Sequence, residues 1–458
     1  MREIANTRCM APLRSFPRQA TLAHPMWLDS LIQTLRADLR PDTTRGRLVR
    51  SAGMTAALKA AGTAVVFVGS LFYARMLGPH GYGLFAFVTA CTMISTLAAG
   101  LGLPQYLVRE GARQHGSLRS LMTKADAMAG PTGAAAATVL ACISLLPEAA
   151  DARALFLIAA PLPVISNLRG IRQGLLQSQG RVATSQWTSY VGTPIAVLAA
   201  SGVIWLWGGQ ITPSLLMVLT LTATALGLLV NHSQLLGLMR RMTQAAHGQI
   251  DVRQALTFAS LGIMFLLNSR TDLIMLGAIK GAREAGIYAV AARSAELVSF
   301  FLMAGNAVLA PQISRLHGRG DLSGLQRLLF GASRRVIVLT LPFALILGVL
   351  ADPLLGVFYG APFAASALPL QILILSQIVN VTAGPTGKLL TMTGHQRLAA
   401  YCVGAACATN IALNLLLIPI LGASGAAIAT GISLVTWNAL QWFFVRTKLG
   451  LRPSLIGA

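Results

Sequence analysis

Apolar runs of about 20 residues, separated by short polar segments, recur along this chain from Ser51 to near its end. A helix needs about 20 mainly apolar residues to cross the hydrocarbon core of a bilayer. The pattern therefore predicts an all-α polytopic membrane protein with about twelve transmembrane helices. The predicted spans are residues 52–74, 82–103, 125–146, 154–177, 183–207, 212–232, 254–278, 286–310, 336–352, 365–388, 398–419 and 422–445.

The composition agrees with this fold class. Charged residues make up 11% of the 458 positions, hydrophobic residues make up 55%, and the mean hydropathy is +0.66. These values exclude a water-soluble protein of this length. We predict two lobes of six spans each, with short flanking segments. The parts are a basic cytoplasmic segment at 1–50, an N-lobe at 51–232, a cytoplasmic linker at 233–253, a C-lobe at 254–446 and a cytoplasmic tail at 447–458.

The distribution of positive charge predicts the orientation of the spans. If the N-terminus is inside, 28 of the 36 Lys and Arg residues fall in the inside segments or, as Arg169 and Arg172 do, at the inner end of the span 154–177. Lys and Arg close to span ends are retained in the cytoplasm, so both termini are predicted to be cytoplasmic. The net charge of +22 is dispersed among short loops, which suits contact with anionic membrane lipids and not with nucleic acid. The outside segments hold only Arg75, Arg153, Lys280 and Arg283.

The first 50 residues contain one further pattern, a set of apolar positions at helical spacing. It predicts a short amphipathic helix on the cytoplasmic membrane surface. The five cysteines and seven histidines of the chain show no metal-ligand spacing, so no metal site and no cofactor are predicted. The apolar positions of the amphipathic helix are Trp27, Leu28, Leu31, Ile32, Leu35 and Leu39.

An internal repeat relates the two lobes. Residues 77–78 (LG) are followed by 83–86 (GLFA), a span and a basic loop, and residues 276–277 (LG) are followed by 286–289 (GIYA), a span and a second basic loop. The offsets between the copies run from 199 to 207. Two halves of six spans each must be related by an axis along the membrane normal. Such parallel repeats are typical of transporters, with the substrate route between the halves.

Ionisable side chains inside predicted spans are the candidates for function, because each costs about 2.5–3.5 kcal/mol to insert and usually faces a cavity or a partner. Arg270 and Asp272 are two positions apart, about 200° around a helix, and cannot pair with each other. Arg293 and Glu296 share a helix face, which predicts a self-satisfied pair. Snorkelling to the outer interface is the structural alternative for Arg270. The seven candidates are Lys59, Asp126, Arg270, Asp272, Arg293, Glu296 and Lys388.

Several short strings resemble the polysaccharide flippases of the multidrug/oligosaccharidyl-lipid/polysaccharide superfamily, which export lipid-linked oligosaccharides. The strings are residues 74–85 (ARMLGPHGYGLF), 101–110 (LGLPQYLVRE), 268–272 (NSRTD) and 286–289 (GIYA). The resemblance covers residues 51 to about 446, and the order and spacing of the strings make it fairly specific. The long N-terminal segment and Lys388 in a span that is usually uncharged depart from the family pattern.

This resemblance implies a transporter of the bacterial cytoplasmic (inner) membrane. Its expected activity is to flip polyprenyl-pyrophosphate-linked oligosaccharide units to the outer leaflet, for surface or exopolysaccharide synthesis, by alternating access. Its expected partners are the lipid-linked glycan, membrane lipids, a polysaccharide polymerase and chain-length machinery. The expected cationic cavity comprises Arg270, Arg293, Lys59, Lys388 and Arg75, and the expected charge partners or ion-coupling groups are Asp272, Glu296 and Asp126.

Three other functions remain open on the sequence. An ion-coupled multidrug antiporter of the same superfamily would have the same fold, although the buried cations favour an anionic substrate. A membrane glycosyltransferase or polysaccharide polymerase would be expected to have a sizeable outer loop with acidic or catalytic residues, and none is predicted here. A structural scaffold in the membrane would have no use for seven charges inside its spans.

Overall fold

A computed structural model describes residues 44–114, 117–242 and 247–453, and within them the chain is almost entirely helical with no β-strand. The amphipathic helix predicted at 27–39 lies outside the described residues. Fifteen α-helices follow each other along the described ranges. They are α1 (Thr44–Ala99), α2 (Leu103–Arg113), α3 (Leu118–Ile143), α4 (Arg153–Ala159), α5 (Leu162–Ser178), α6 (Val182–Trp187), α7 (Thr193–Leu206), α8 (Pro213–Met239), α9 (Val252–Lys280), α10 (Ala282–Gly318), α11 (Leu322–Val349), α12 (Ala351–Tyr359), α13 (Ala367–Ala383), α14 (Thr386–Met392) and α15 (Gln396–Leu449).

The predicted number of membrane crossings agrees with these helices. Ten helical segments in the described ranges are long and apolar enough to cross a membrane. The two longest, Gly53–Ala99 with 47 residues and Gln396–Leu449 with 54, are interrupted by non-helical backbone at Gly78 and Gly422. Each interruption divides its segment into two rods of more than 20 residues, which brings the crossings to twelve. The polytopic all-α fold class is therefore confirmed.

The two glycine breaks and their surroundings define the ends of the helices. We use "outer end" for the end that carries Gly78, Gly281 and Gly422, after the predicted orientation, and "inner end" for the opposite one. At the outer end, Glu284 in the first turn of α10 accepts a hydrogen bond of 2.9 Å from the backbone N–H of Ala423. This carboxylate caps the second rod of α15, whose first N–H groups would otherwise lack partners.

The internal repeat is visible in the backbone, with a shifted register. Gly78 (φ 64°, ψ 178°) separates the two rods of α1, and Gly281 (φ 86°, ψ 178°) separates α9 from α10 in the same conformation. Their offset of 203 equals that between Gly83 and Gly286. The structural equivalent of Gly78 is therefore Gly281. Alignment of the two Leu-Gly pairs in the sequence would instead make Gly277 the equivalent of Gly78. A positive φ costs glycine least, which explains glycine at both breaks.

The structure differs from the sequence prediction in one span boundary, at Lys388, and in the surroundings of one cation, Arg172. The span expected to contain Lys388 ends at Ala383, because Gly384 (φ 78°) and Pro385 break the helix, and Lys388 lies exposed on the short helix α14. Arg172 counts among the cations at the inner ends of the spans, and in the structure it lies on α5 and is 7% exposed. The basic character of a segment gives no information on whether a neighbouring helix supplies a counter-charge, and in this fold one does.

That counter-charge is Asp126 on α3, which forms a two-pronged ion pair with Arg172. Arg172 Nη1 donates to Asp126 Oδ1, and Arg172 Nη2 donates to Asp126 Oδ2 at 2.9 Å. The side chains are 9% and 26% exposed. Leu121, Ala125 and Ile171 beside the pair belong to one apolar cluster of the N-lobe. The pair therefore fixes α3 against α5 in largely apolar surroundings, where either charge without its partner would be costly to bury.

Candidate functional site

A cavity of about 190 Å³ lies between the second rod of α1, the middle of α9 and the first half of α10. Its wall combines apolar and aromatic side chains with charged ones, which is the usual make-up of a ligand cavity. Arg270, Asp272, Arg293 and Glu296 all line it. Four of the eight sequence-predicted site residues are thus brought together at one place. The other main lining side chains are Tyr82, Phe85, Thr89, Met93 and Tyr288.

Two glycines bring the halves of the molecule into contact at the outer end of this cavity. A Cβ atom on Gly83 would overlap the carbonyl group of Ala282, and a Cβ atom on Gly286 would overlap the carbonyl group of Pro79. The contact is reciprocal, because Pro79 and Ala282 are related by the same offset of 203 as the two glycines. Only helices without side chains at the crossing can approach so closely. The outer end of the cavity is therefore closed by a contact between equivalent parts of the two repeats.

Arg270 is the cation of the cavity that forms no ion pair with a described residue. Its Nε atom is buried without a hydrogen-bond partner among the described residues, and no carboxylate in those ranges forms an ion pair with it. Asp272 lies two residues later on α9 and points to other partners. A buried Nε–H donor without a partner is costly, and the guanidinium that carries it has capacity for an anionic ligand.

Asp272 is buried and held by hydroxyl and backbone donors from three helices. Its Oδ2 accepts hydrogen bonds from the hydroxyl of Tyr288 on α10 and from that of Thr430 on α15, the latter at 2.9 Å, and its Oδ1 accepts from the N–H of Leu273 at 2.8 Å. The amide of Asn410 lies 3.5 Å from Thr430 Oγ1 and extends this polar cluster. The carboxylate thus links α9, α10 and α15 without a cationic partner within ion-pair distance in the described ranges.

Arg293 and Glu296 form the pair that their spacing predicts. Arg293 Nη1 donates to Glu296 Oε2 at 2.7 Å, and the side chains are 27% and 43% exposed. The prediction of a self-satisfied pair is therefore confirmed. Because both residues line the cavity, an anionic ligand can compete with Glu296 for the guanidinium of Arg293.

The other four predicted site residues lie away from this cavity. Asp126 is paired with Arg172, and Lys388 is exposed on α14. Arg75 is exposed near the outer end of the first rod of α1. Lys59 lies near the other end of the same rod, where its Nζ is 5.5 Å from the centre of the Tyr190 ring.

Sequence reasoning does not find the hydroxyl groups that hold Asp272. Tyr288 is part of the GIYA string, which marks its position but gives no sign of its role. Thr430 lies 158 residues from Asp272 along the chain, in a Gly- and Ala-rich helix that offers no local signal. Only the packing of α15 against α9 brings the two together.

Both halves of the chain match known protein families. A family model described as "Polysaccharide biosynthesis protein" matches residues 48–317, and a model described as "MatE" matches residues 255–416. A curated protein of Haloferax volcanii, "Probable low-salt glycan biosynthesis flippase Agl15", is 22% identical over 181 residues. That alignment covers 40% of this chain and 38% of the relative. The chain therefore spans about two-fifths of the length of the curated relative that it matches.

Solved structures of two kinds of transporter are similar over nearly their whole length. A multidrug resistance MATE family transporter of the MOP superfamily in an outward-facing conformation gives a TM-score of 0.61 at 14% identity, over 92% of this chain and 98% of that one. The lipid II flippase MurJ in an inward closed conformation gives a TM-score of 0.59 at 14% identity, over 83% of this chain and 87% of that one. At such low identity the similarity establishes the fold, and function has to be argued from the site.

Proposed function

Because the chain belongs to the polysaccharide biosynthesis protein family and has the fold of the multidrug/oligosaccharidyl-lipid/polysaccharide superfamily, we propose that it flips a polyprenyl-diphosphate-linked oligosaccharide across the membrane. The family resemblance of the short sequence strings is thereby confirmed. The direction is from the cytoplasmic to the outer leaflet of a bacterial inner membrane, with both chain termini in the cytoplasm. The glycan serves surface or exopolysaccharide synthesis, in contact with a polymerase and its chain-length machinery.

The observation that carries this proposal is the unpaired guanidinium of Arg270 in the cavity. A diphosphate group must cross an apolar region during flipping, and an arginine offers it two parallel charge-assisted hydrogen bonds. The attraction is stronger than in water because much of the cavity wall is apolar. Arg293 lies on the facing helix α10 and supplies a second cation to the same cavity. A cationic drug, in contrast, would be repelled by the two arginines of this cavity.

The reciprocal glycine contact supports alternating access as the mechanism. It closes the cavity at the outer end through backbone atoms of the two repeats. The halves can therefore rock apart at this contact while the fold within each half is unchanged. The substrate headgroup enters from the inner end while this contact is formed. It leaves when the contact opens and the inner end closes. The relation of the two halves by a parallel repeat is typical of such motions.

Asp272 is the carboxylate that we assign to ion coupling. Glu296 is paired with Arg293 and Asp126 with Arg172, whereas Asp272 has hydroxyl and amide partners only. A proton or a Na⁺ ion at Asp272 would neutralise a charge that otherwise attracts Arg270 away from a ligand. We expect Asp272→Asn to transport at a rate that no longer changes with the proton or Na⁺ gradient, measured in proteoliposomes. A gradient response equal to that of the unchanged protein would refute the assignment.

The sidedness of lipid-linked oligosaccharide in cells lacking this protein tests the proposed function directly. We expect complete repeat units to accumulate on the cytoplasmic leaflet and the intact chain to restore their export. The alternative is an ion-coupled multidrug antiporter, which the match of residues 255–416 to the MatE family model supports. Unchanged lipid-linked sugars together with greater sensitivity to cationic drugs would establish that alternative. A glycosyltransferase or polymerase would instead change the structure of the glycan.

We expect Arg270→Ala to reduce export about tenfold or more while the chain still inserts into the membrane. Hydrogen bonds to a charged group are worth about 1.5–3 kcal/mol, and each 1.4 kcal/mol corresponds to a factor of ten. The measurement is the amount of glycan on the outer leaflet at equal protein level. Arg240→Ala, which removes an exposed arginine after α8, is the matched control. If Arg270→Ala exports like that control, Arg270 only anchors the helix at the interface and does not bind substrate.

A further inference from the structure

Glu296 places a negative charge in a cavity whose proposed ligand is also negative. We propose that this carboxylate makes the site selective for the polyprenyl diphosphate carrier that bears a glycan over the same carrier without one. The inference rests on the proposed function and specifies which form of the lipid the same site accepts. The cationic roles of Arg270 and Arg293 are unchanged by it.

Of the two described carboxylates that line the cavity, Glu296 is the one with an oxygen available to a ligand. Its Oε2 accepts the 2.7 Å hydrogen bond from Arg293, and its Oε1 accepts none from the described residues. The side chain is 43% exposed. Asp272, in contrast, is buried, and its two oxygens accept hydrogen bonds from two hydroxyl groups and one backbone N–H. A ligand in the cavity therefore meets Glu296 directly.

The depths of the charged residues place Glu296 on the inner side of a diphosphate held by the two arginines. Arg270 lies ten residues before the end of α9 at Lys280, which is about 15 Å from the outer end. Arg293 lies eleven residues after the start of α10 at Ala282, which is about 16 Å from the same end. Glu296 follows three residues later, about 4.5 Å closer to the inner end.

A sugar on the terminal phosphate would extend toward that inner side. The reciprocal contact of Gly83 and Gly286 closes the cavity at its outer end, so a group attached to the diphosphate cannot extend that way. On the inner side it passes the carboxylate of Glu296. The first sugar of the glycan and the terminal phosphate of a bare carrier are thus the two groups that Glu296 has to distinguish.

Binding of a diphosphate changes the partner of Glu296. A phosphate that takes the guanidinium of Arg293 leaves Glu296 without its counter-charge, and a partly buried carboxylate without a partner is costly. The hydroxyl groups of a sugar can donate hydrogen bonds to this carboxylate in place of arginine. Hydrogen bonds to an ionised acceptor are stronger than those between neutral groups, so they offset the loss of the ion pair.

The bare carrier offers no such compensation. Its terminal phosphate has a further ionisable oxygen with a pKa of about 6, which adds most of one negative charge at neutral pH. That charge would face Glu296, and two negative groups at such short range repel each other. Arg270 and Arg293 alone would favour the more highly charged bare lipid. Glu296 therefore reverses the preference that the two arginines would impose by themselves.

This selectivity has a direct use in the proposed transport cycle. When the glycan is transferred to an acceptor at the outer leaflet, the bond between the first sugar and the terminal phosphate breaks. The bare polyprenyl diphosphate remains in that leaflet as the product. A site that bound this product as tightly as the substrate would be occupied by it, and the repulsion from Glu296 prevents that.

The test compares two probes on the full chain in phosphatidylcholine nanodiscs by native mass spectrometry. One probe is geranylgeranyl diphosphate, and the other is the same lipid with glucose on its terminal phosphate. We expect the unchanged protein to bind the glucosylated probe about tenfold more tightly than the bare one. In Glu296→Gln, the bare probe is expected to bind about tenfold more tightly than before, so that the preference disappears. Both affinities are measured on one sample, so a partly unfolded variant gives the same ratio.

Two further variants separate the charge of Glu296 from its shape and from a general effect of surface charge. Glu296→Asp keeps a carboxylate in the cavity and is expected to retain most of the preference. Asp352→Asn is the matched control, because it removes an exposed carboxylate in the first turn of α12 that does not line the cavity. It is expected to retain the full preference.

Equal binding of the two probes by the unchanged protein would overturn the proposal. A ratio in Glu296→Gln equal to that in Asp352→Asn would also overturn it, since another group would then provide the selectivity. In both cases, weaker binding of both probes by Arg270→Ala would leave the proposed function intact. No binding of either probe by the unchanged protein contradicts the proposed function itself.

Discussion

A valine at Gly83 is expected to abolish transport while leaving the chain inserted in the membrane. Its side chain would occupy the place of the Ala282 carbonyl group, which is backbone and cannot rotate away. Overpacking a close contact costs about 1–3 kcal/mol, and a cost of about 3 kcal/mol shifts the balance between the closed and open outer ends about 100-fold. Gly286→Val is expected to have the same effect, because the contact is reciprocal. Both variants would remain open at the outer end.

The measurement combines export of lipid-linked glycan with labelling of the cavity from outside. A cysteine at Thr89, which lines the cavity, is introduced into a version of the chain whose five cysteines are replaced by alanine. A membrane-impermeant thiol reagent is expected to label this cysteine more strongly in Gly83→Val than in the unchanged background. Gly202→Val is the matched control, since it also places valine inside a helix but has no atom within 4 Å of the new Cβ.

Two outcomes would contradict this account of the outer contact. If Gly83→Val and Gly286→Val export glycan as Gly202→Val does, the contact is not needed for the transport cycle. If export is lost but labelling at Thr89 does not increase, the glycines serve packing alone and do not control access. Loss of the protein from the membrane in all three variants would point to a general effect of valine on insertion.

Removing the carboxylate of Asp126 is expected to cause a large loss of stability. Asp126→Ala would leave the 9% exposed guanidinium of Arg172 without its counter-charge. Breaking a buried ion pair from one side costs about 3–5 kcal/mol, because the remaining charge stays in surroundings that solvate it poorly. The Nε atom of Arg172 already lacks a hydrogen-bond partner in the part of the chain that the structure describes. The substitution would therefore leave further donors of the same guanidinium without partners.

The free energy of unfolding in mixed detergent micelles, titrated with sodium dodecyl sulfate, measures this effect. The double variant Asp126→Leu with Arg172→Met removes both charges and is expected to regain most of the stability, since apolar replacements of a buried pair are often neutral or better. Glu296→Ala is the control for a more exposed pair, because Glu296 is 43% exposed and such pairs contribute about 0–1 kcal/mol. Asp126→Ala and Glu296→Ala with equal unfolding free energies would show that the Asp126–Arg172 pair contributes little.

The part of the site that could be predicted from sequence is the part made by neighbours along one helix. Arg293 and Glu296 are three residues apart, so helix geometry alone places them together. The same geometry shows that Arg270 and Asp272 diverge, and the structure gives them different surroundings. The wrong placement of Lys388 has a local cause as well, because the break at Gly384 and Pro385 falls inside a run that is apolar enough to continue the span.

The remaining contacts could not be predicted, since they join positions far apart in the chain. Asp126 and Arg172 are 46 residues apart, and Asp272 and Thr430 are 158 apart. Whether such residues meet depends on how each helix is rotated about its axis and which neighbour it packs against. Apolar side chains cover most faces of a transmembrane helix, so the periodicity that indicates the buried face of a soluble helix is weak here.

The class of protein and the number of crossings are properties that the amino-acid sequence alone specifies. In a bilayer every backbone polar group must be satisfied within its own segment, so the length and hydrophobicity of each run suffice to identify a span. Packing between the helices, in contrast, sets which charges meet and which cation of the cavity forms no ion pair with a described residue. It also sets how Gly83 and Gly286 close one end of the cavity. The free energy of such packing depends on the shape and position of many side chains at once, and no local stretch of the chain encodes it.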